Sequence, residues 1–207
     1  MDQGNYYQTI ETGGQAEFKD RGSRFIAMAY PLKNTDEFKK ILAAVKKEHP
    51  KANHHCFAYR LGTEGNAFRV SDAGEPSGTA GRPILGQIDS RQVTDVLIIV
   101  VRYFGGTLLG VPGLINAYKS AAAMALQVTP LVRKPVLKTY HLQFDYTQLN
   151  EVMNVVKQFD CLIMKQELQL FCVMDIGIPK HRLTESVMRL EDIRNLVLKE
   201  VAVIAAS

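Results

Sequence analysis

The sequence predicts an α+β protein built from two domains. Along residues 6–128, strand-like segments and amphipathic helices follow one another without a regular repeat, whereas residues 137–204 read as strand, helix, strand, strand, helix, strand. The intervening segment, residues 128–135, contains two prolines, which favours a linker. We therefore predict a first domain at residues 1–130 and a second domain at residues 136–207.

The first domain opens with strands and a capped helix. Three short β-rich segments are predicted as strands: residues 6–10, 17–19 and 24–30. Asn34 and Glu37 form a capping box that begins the helix. The helix has one apolar face at positions i, i+3, i+4 and i+7 and ends before a proline, as these residues show: Phe38, Ile41, Leu42, Val45 and Pro50.

The rest of the first domain alternates between strands and helices. Strands are predicted at residues 55–59, 67–71 and 96–101, and helices begin at Pro83 and Leu114. The strand at 96–101 is almost wholly apolar, which indicates a central strand covered on both faces.

The second domain has a clear order of elements. They are predicted at residues 137–146 (strand), 149–156 (helix), 161–170 and 172–178 (strands), 183–190 (helix) and 195–204 (strand). This order is the ferredoxin-like βαββαβ motif.

Two glycine-rich loops frame the central strand of the first domain. The first covers residues 71–83 and the second residues 105–110, which lead into an alanine-rich helix. Such loops expose backbone N–H groups, and a helix N-terminus adds partial positive charge. The pattern predicts a binding site for an anion, most simply phosphate.

The same stretch resembles the Impact/YigZ family of translation-associated proteins. Further likeness at residues 23–26, 54–56 and 74–81 extends the resemblance over residues 15–128. Ala73 and the Val111-Pro112 pair depart from the usual family pattern. The signature residues are Gly81, Ile84, Leu85, Ile88, Val93, Ile99, Val100, Arg102, Tyr103, Phe104, Gly105, Gly106, Leu109 and Gly110.

The resemblance implies a fold and a function. It implies a ribosomal protein S5 domain 2-like fold for the first domain, including a left-handed βαβ crossover, and a second domain similar to the fifth domain of the translocase elongation factor. It also implies a translation-associated role. The fold of the first domain does not follow from periodicity in this sequence.

Arg102, Tyr103 and Phe104 lie where the central strand meets the second loop. We predict that Arg102 contacts phosphate while one ring stacks on a base, since neighbouring strand residues point to opposite faces. The alternative is that Arg102 pairs with Asp72 or Glu75. The complete predicted set of nucleic-acid or anion contacts is Arg102, Tyr103, Phe104, Gly105, Gly106, Thr107, Arg82, Ser77 and Thr79.

Arg82 falls in the first turn of a predicted helix, where its charge opposes the helix dipole. A ligand phosphate or Glu75 would balance that charge, and the sequence leaves both open.

Four further polar residues are predicted to organise the first loop: His54, His55, Asp72 and Glu75. Adjacent histidines on a strand point to opposite faces, so they do not converge on a metal ion. The same alternation separates Cys56 from His55, which disfavours a thiol nucleophile. We predict no catalytic residue, no metal and no cofactor.

Composition is that of a globular protein, with 46% hydrophobic and 22% charged residues. The net charge is +4, and the basic excess lies within residues 1–134, which suits a polyanionic partner. The three cysteines lack a Cys-x-x-Cys spacing, so we expect reduced thiols. Neither a signal peptide nor a membrane span is evident, and we expect a cytoplasmic protein without a membrane partner.

These observations predict a non-enzymatic translation-associated regulator that binds RNA or the ribosome through a basic glycine-loop surface. One alternative is an enzyme acting on a phosphate-bearing small molecule or nucleotide, because the second loop is similar in layout to the phosphate loop of small-molecule kinases. Another is a protein-interaction regulator of a translational stress response, with a protein partner in translation control.

Overall fold

A computed structural model describes residues 4–201 of the chain. It contains both helices and sheets, which confirms the predicted α+β class. The described residues form two compact units, one of residues 7–134 and one of residues 4–6 with 135–201. Residues 202–204, predicted as the end of the last strand, lie outside the described part.

The N-terminal unit contains a five-stranded antiparallel sheet in the order β2-β3-β6-β4-β5. Its strands are β2 (Gly14–Asp20), β3 (Ser23–Pro31), β4 (His54–Leu61), β5 (Ala67–Ser71) and β6 (Val96–Tyr103). β6 is central and buried at every position before Tyr103, in agreement with the expectation from its apolar sequence.

A separate pair of strands joins β1 (Tyr6–Ile10) to β7 (Leu131–Pro135). Strand β7 occupies most of the segment that the prolines suggested to be a linker. The β-branched Val132 favours a strand, and pairing with β1 stabilises the segment.

Three helices cover the two faces of this sheet: α1 (Thr35–Glu48), α2 (Gly81–Ser90) and α3 (Gly110–Val128). The alternation of β6 divides the core. Leu97, Ile99 and Val101 pack in one cluster with residues of α1, and Val96, Ile98 and Val100 pack in another with residues of α2 and α3.

The predicted cap of α1 is present, with a changed partner for the glutamate. Asn34 Oδ1 accepts a hydrogen bond from the Glu37 N–H at 2.9 Å. The Glu37 carboxylate accepts from the N–H of Lys33 at 2.7 Å rather than from that of Asn34.

The C-terminal unit has the strand and helix order predicted from its sequence. The elements are β8 (Leu137–Asp145), α4 (Leu149–Gln158), β9 (Leu162–Glu167), β10 (Phe171–Pro179), α5 (Leu183–Glu191) and β11 (Val197–Val201). The antiparallel sheet has the order β11-β8-β10-β9, which is a split βαβ arrangement. Residues of α4 and α5 pack on it around Leu142, Met174 and Ile176.

Candidate functional site

The Arg102 guanidinium lies at the centre of a buried polar cluster at the end of β6. Arg102 is only 5% exposed; its Nη1 donates to Glu75 Oε1 at 2.8 Å and its Nη2 to Ser23 Oγ at 3.4 Å. The rings of Phe25 and Phe104 lie against it, with centroids 5.4 and 5.6 Å from Cζ. The predicted phosphate contact by Arg102 is therefore wrong, because the buried Glu75 carboxylate holds the guanidinium inside the protein.

Glu75 connects the first glycine loop to this cluster. Its Oε1 also accepts from the Tyr118 hydroxyl at 2.8 Å and lies 3.8 Å from His54 Nε2. Cys56 Sγ lies 3.3 Å from the Tyr118 oxygen and 2.9 Å from the Asp72 carbonyl oxygen. The loop is thus tied by side chains to β4, β6 and α3.

Burial keeps two groups beside Glu75 protonated, the Tyr118 hydroxyl and the Cys56 thiol. Burial is the largest cause of the raised pKa of Tyr118, and the neighbouring Cys56 and Glu75 raise it further. Burial also raises the pKa of the Cys56 thiol to about 12. Both groups stay protonated at neutral pH, which argues against a thiolate nucleophile or a tyrosinate base at this position.

The first glycine loop wraps around the Asp72 carboxylate. Asp72 accepts hydrogen bonds from the N–H groups of Gly78 at 2.8 Å, Ala80 at 3.0 Å and Gly81 at 2.8 Å. Burial alone would raise the pKa of Asp72, but these bonds and the charge of Arg82 lower it below its usual value. An internal carboxylate thus occupies the anion position at the N-terminus of α2. The prediction of an open phosphate site in this loop is wrong for that reason.

The predicted contact residues of the first loop differ in accessibility. Ser77 and Arg82 are exposed. Thr79 is buried and its hydroxyl donates to the Pro76 carbonyl at 2.7 Å, so Thr79 cannot contact a ligand. The positive charge of Arg82 helps to lower the pKa of Asp72, which is neither of the two partners expected from the sequence.

The two histidines lie in different hydrogen-bond networks. His54 Nδ1 bonds the Ala73 carbonyl at 2.9 Å, within the first loop. His55 Nε2 instead bonds the His49 carbonyl at 3.1 Å, and burial lowers the pKa of His55. His55 therefore supports the end of α1 and not the glycine loop, as expected when neighbouring strand residues face opposite sides.

Tyr103 and Phe104 divide between the core and the solvent. Tyr103 is half-buried, and its hydroxyl lies 2.9 Å from His49 Nδ1. Phe104 is 46% exposed, and its N–H donates to Asn53 Oδ1 at 2.8 Å. Of the two rings, Phe104 is the one presented to solvent.

The second glycine loop is fixed by close backbone packing. The Gly105 N–H donates to Ser23 Oγ at 3.2 Å. A Cβ atom added to Gly105 would lie 1.9 Å from the carbonyl carbon of Gly22. Only glycine fits at this position, because the turn between β2 and β3 touches the loop directly.

We define the loop surface as residues 104–108 together with Arg21 and Arg24. Residues 104–108 are all exposed, Leu108 to 83%. Arg21 Nη2 donates to the Leu109 carbonyl at 3.3 Å, and the Arg24 guanidinium lies 5.8 Å from the centroid of Tyr103. Arg24 also pairs with Glu17 at 2.9 Å.

The two arginines of this surface were not among the residues predicted from the sequence. The available signal is Gly22, since glycine favours tight turns. In the structure Arg21 and Gly22 form a two-residue turn in which both φ angles are positive, 44° and 79°. Such a turn closes a β-hairpin. Because β3 pairs with β6, the β2–β3 turn lies beside the end of β6.

Neither a metal-binding cluster nor a membrane-spanning helix is found within residues 4–201. Residues 4–201 contain no group of three or more His, Cys, Asp and Glu side chains placed to hold a metal ion. Within the same range, no helix combines the length and apolar character needed to cross a bilayer.

Comparison with known proteins identifies the family. The model of the Impact N-terminal domain matches residues 21–126. The chain is 35% identical to the IMPACT family member YigZ of Escherichia coli (strain K12), over 87% of this chain and 90% of that protein. It is 34% identical to the IMPACT family member YvyE of Bacillus subtilis (strain 168), over 76% of this chain and 72% of that protein.

More distant and structural matches agree. Protein IMPACT of Rattus norvegicus is 34% identical over 46% of this chain and 31% of its own length. A crystal structure described as that of a hypothetical protein matches with a TM-score of 0.75 and 32% identity, covering 96% of this chain and 98% of the other. The chain belongs to the Impact family, as its signature residues indicated.

Proposed function

We propose that this protein is a non-enzymatic, translation-associated regulator that binds single-stranded RNA, including exposed strands of the ribosome, through the loop surface. The observation that carries the proposal is the half-exposed ring of Phe104. It stands at the end of the buried strand β6, and a backbone hydrogen bond to Asn53 and the Gly22–Gly105 contact hold its loop. A ring that is exposed and positioned in this way suits stacking on a base.

The surroundings of Phe104 favour a nucleic-acid strand over a neutral ligand. Gly106 and Thr107 are exposed beside the ring, so their backbone is accessible to phosphate oxygens. Arg21 and Arg24 on the neighbouring hairpin are exposed, unlike Arg102 in the interior. Their ion pairs, with Asp20 at 3.6 Å and Glu17 at 2.9 Å, are exposed pairs of low strength, which a phosphate can replace. The association with translation is the expectation that the family resemblance brings.

The non-enzymatic part of the proposal rests on how the reactive groups are used. Glu75, Asp72 and His54 hydrogen-bond or pair with groups of the protein itself. The Cys56 thiol is buried and protonated. These side chains shape the first loop, and we assign them no chemical step.

Binding of a labelled single-stranded RNA oligomer, measured by fluorescence anisotropy at several salt concentrations, tests the proposal. Affinity should fall as salt rises, because phosphate contacts release counterions. Phe104→Ala should weaken binding by about 1–3 kcal/mol, the contribution of one stacked base. Arg21→Ala should reduce the salt slope by about 0.7 if Arg21 contacts one phosphate.

A matched control is available in the same unit. Phe68 on the edge strand β5 is 56% exposed, and Arg60 lies 5.4 Å from its centroid. Phe68→Ala should leave RNA affinity unchanged. Equal losses for Phe104→Ala and Phe68→Ala, or binding that ignores salt, would rule out the loop surface as an RNA site.

A further inference from the structure

The edge strand β9 has an open side. In the sheet order β11-β8-β10-β9, β9 pairs with β10 alone, and no other strand of residues 4–201 hydrogen-bonds to it. The outer N–H and C=O groups of such an edge form a template for pairing with another strand. A protein that keeps this edge exposed needs either protection against pairing or a partner.

The strand and the turn that follows it are unusually exposed and apolar. All residues from Met164 to Phe171 are exposed. Leu170 is 77% exposed and Phe171 is 72% exposed, and Leu162 and Leu168 add to the same edge. A concentration of exposed apolar side chains at one place favours an interaction surface.

The charges of β9 indicate which partner fits. Lys165 and Glu167 are exposed and their side chains lie on one side of the strand, with Lys165 Nζ 2.9 Å from Glu167 Oε1. In an antiparallel pair centred on Gln166, each Lys165 would lie opposite Glu167 of the second copy. A parallel, in-register pair would instead place like charges opposite each other, which is unfavourable.

An edge lysine and a β-bulge are devices that limit strand pairing. Strand β9 has both, since the register against β10 shifts at Met164. The segment Lys165–Glu167 lies beyond the shift and pairs regularly with β10. Between two antiparallel copies of β9, Glu167 lies opposite Lys165 only when the pairing is centred on Gln166. The edge lysine therefore disfavours other antiparallel registers more than this one.

We propose that a second copy of this chain binds along β9, antiparallel about a twofold axis at Gln166. Pairing of the two edges joins two four-stranded sheets into one of eight strands. The partner is the same protein, because the charge order of Lys165 and Glu167 is complementary to itself when reversed.

Charge exchange tests the register in the full-length protein. Sedimentation velocity across a wide range of protein concentrations should show a monomer–dimer equilibrium for the wild type. Lys165→Glu should raise the dimer dissociation constant on the order of tenfold, because two opposite-charge pairs become like-charge pairs. The double variant Lys165→Glu with Glu167→Lys should restore dimerisation.

The same sheet provides the control. Lys138 on β8 pairs with Glu200 on β11 at 3.3 Å, away from the β9 edge, and Lys138→Glu should leave the dimer constant unchanged. Circular-dichroism melting confirms that each variant is folded. A monomer at every concentration, or a dimer that Lys165→Glu and Lys138→Glu weaken equally, overturns the proposal.

Crosslinking gives an independent readout. At the centre of an antiparallel pair the two Cα atoms of residue 166 would lie about 4.5–5.5 Å apart, within the range for a disulfide. Gln166→Cys should therefore form a disulfide-linked dimer on mild oxidation. Glu200→Cys, on the opposite edge strand β11, should not. Crosslinking of Glu200→Cys in place of Gln166→Cys would contradict the proposed edge.

Discussion

Arg102 and Glu75 form the most consequential pair of single residues in the N-terminal unit. Their side chains are almost completely buried and meet at 2.8 Å. The pair links the first glycine loop to the end of β6, and the Tyr118 hydroxyl extends the link to α3. When one member of a buried ion pair is removed, the remaining charge stays in the interior, where water cannot solvate it.

Replacing Glu75 with alanine should therefore destabilise the protein strongly. We expect the free energy of unfolding in urea to fall by about 3–5 kcal/mol, the usual effect of leaving one member of a buried ion pair without its partner. Glu17→Ala, which breaks the exposed pair with Arg24, is the control and should have a much smaller effect. Similar losses for both variants would mean that the buried pair has no special role.

The sequence predicts these residues only in part. The alternation of a strand shows that Tyr103 and Phe104 face opposite sides, and Phe104 is the exposed ring. The direction of Arg102 depends on Glu75, which is 27 positions away and is brought close by the loop's fold. Local spacing carries no information about such a contact, so the sequence favoured phosphate and left the carboxylate of Asp72 or Glu75 as the alternative.

At the scale of elements, the Asp72 loop and α2 act together. Helix α2 has no side-chain cap from the residue that precedes it, and Asp72 supplies the missing acceptor from eight positions upstream. The carboxylate satisfies N–H groups that a helix N-terminus would otherwise leave without partners. The glycines of this loop thus allow close approach to an internal carboxylate.

This capping predicts a specific loss of stability in acid. The pKa of Asp72 is lowered in the folded state, so its contribution is complete above the ordinary carboxyl pKa of 3.8 and is lost as the pH falls through the lower folded-state value. Asp72→Asn should lower the melting temperature at neutral pH and flatten its decline in acid.

Thermal melting at a series of pH values compares Asp72→Asn with the wild type. Asp160→Asn serves as the control, because Asp160 is an exposed residue between α4 and β9 whose positive φ of 52° asparagine also adopts. We expect its acid profile to remain close to that of the wild type. Parallel profiles for the wild type and Asp72→Asn would show that Asp72 does not cap α2.

Element boundaries show where sequence patterns stop being informative. Helix α3 begins at Gly110, four residues before the predicted start. Pro112 is compatible with the earlier start, because a proline in the first turn removes an N–H that the helix does not use. The βαββαβ order of the second domain was predictable because each of its elements has a clear period.

At the scale of the whole molecule, each unit has its own hydrophobic core. Two clusters on either side of the five-stranded sheet stabilise the N-terminal unit, and a third cluster stabilises the C-terminal unit. The periodicity of the sequence predicted an apolar core for each of the two units. The order of the five strands was not predictable in the same way, because it depends on pairings between distant segments.

Separate cores predict separate effects of core mutations. Met174→Ala should destabilise the C-terminal unit by about 2–5 kcal/mol, since it leaves a cavity among fully buried side chains. Hydrogen exchange followed by mass spectrometry should show faster exchange in residues 137–201 and unchanged exchange in β3, β4 and β6. Val100→Ala is the reciprocal control and should show the opposite pattern.

The contact between Gly22 and Gly105 has a mechanical consequence for the exposed phenyl ring. The backbone of Gly22 packs directly against the backbone of Gly105, without an intervening side chain that could rotate or repack. A tilt of the β2–β3 hairpin would therefore be transmitted directly to the ring, so we expect substitutions on β2 to alter the proposed RNA affinity while leaving every proposed contact atom in place.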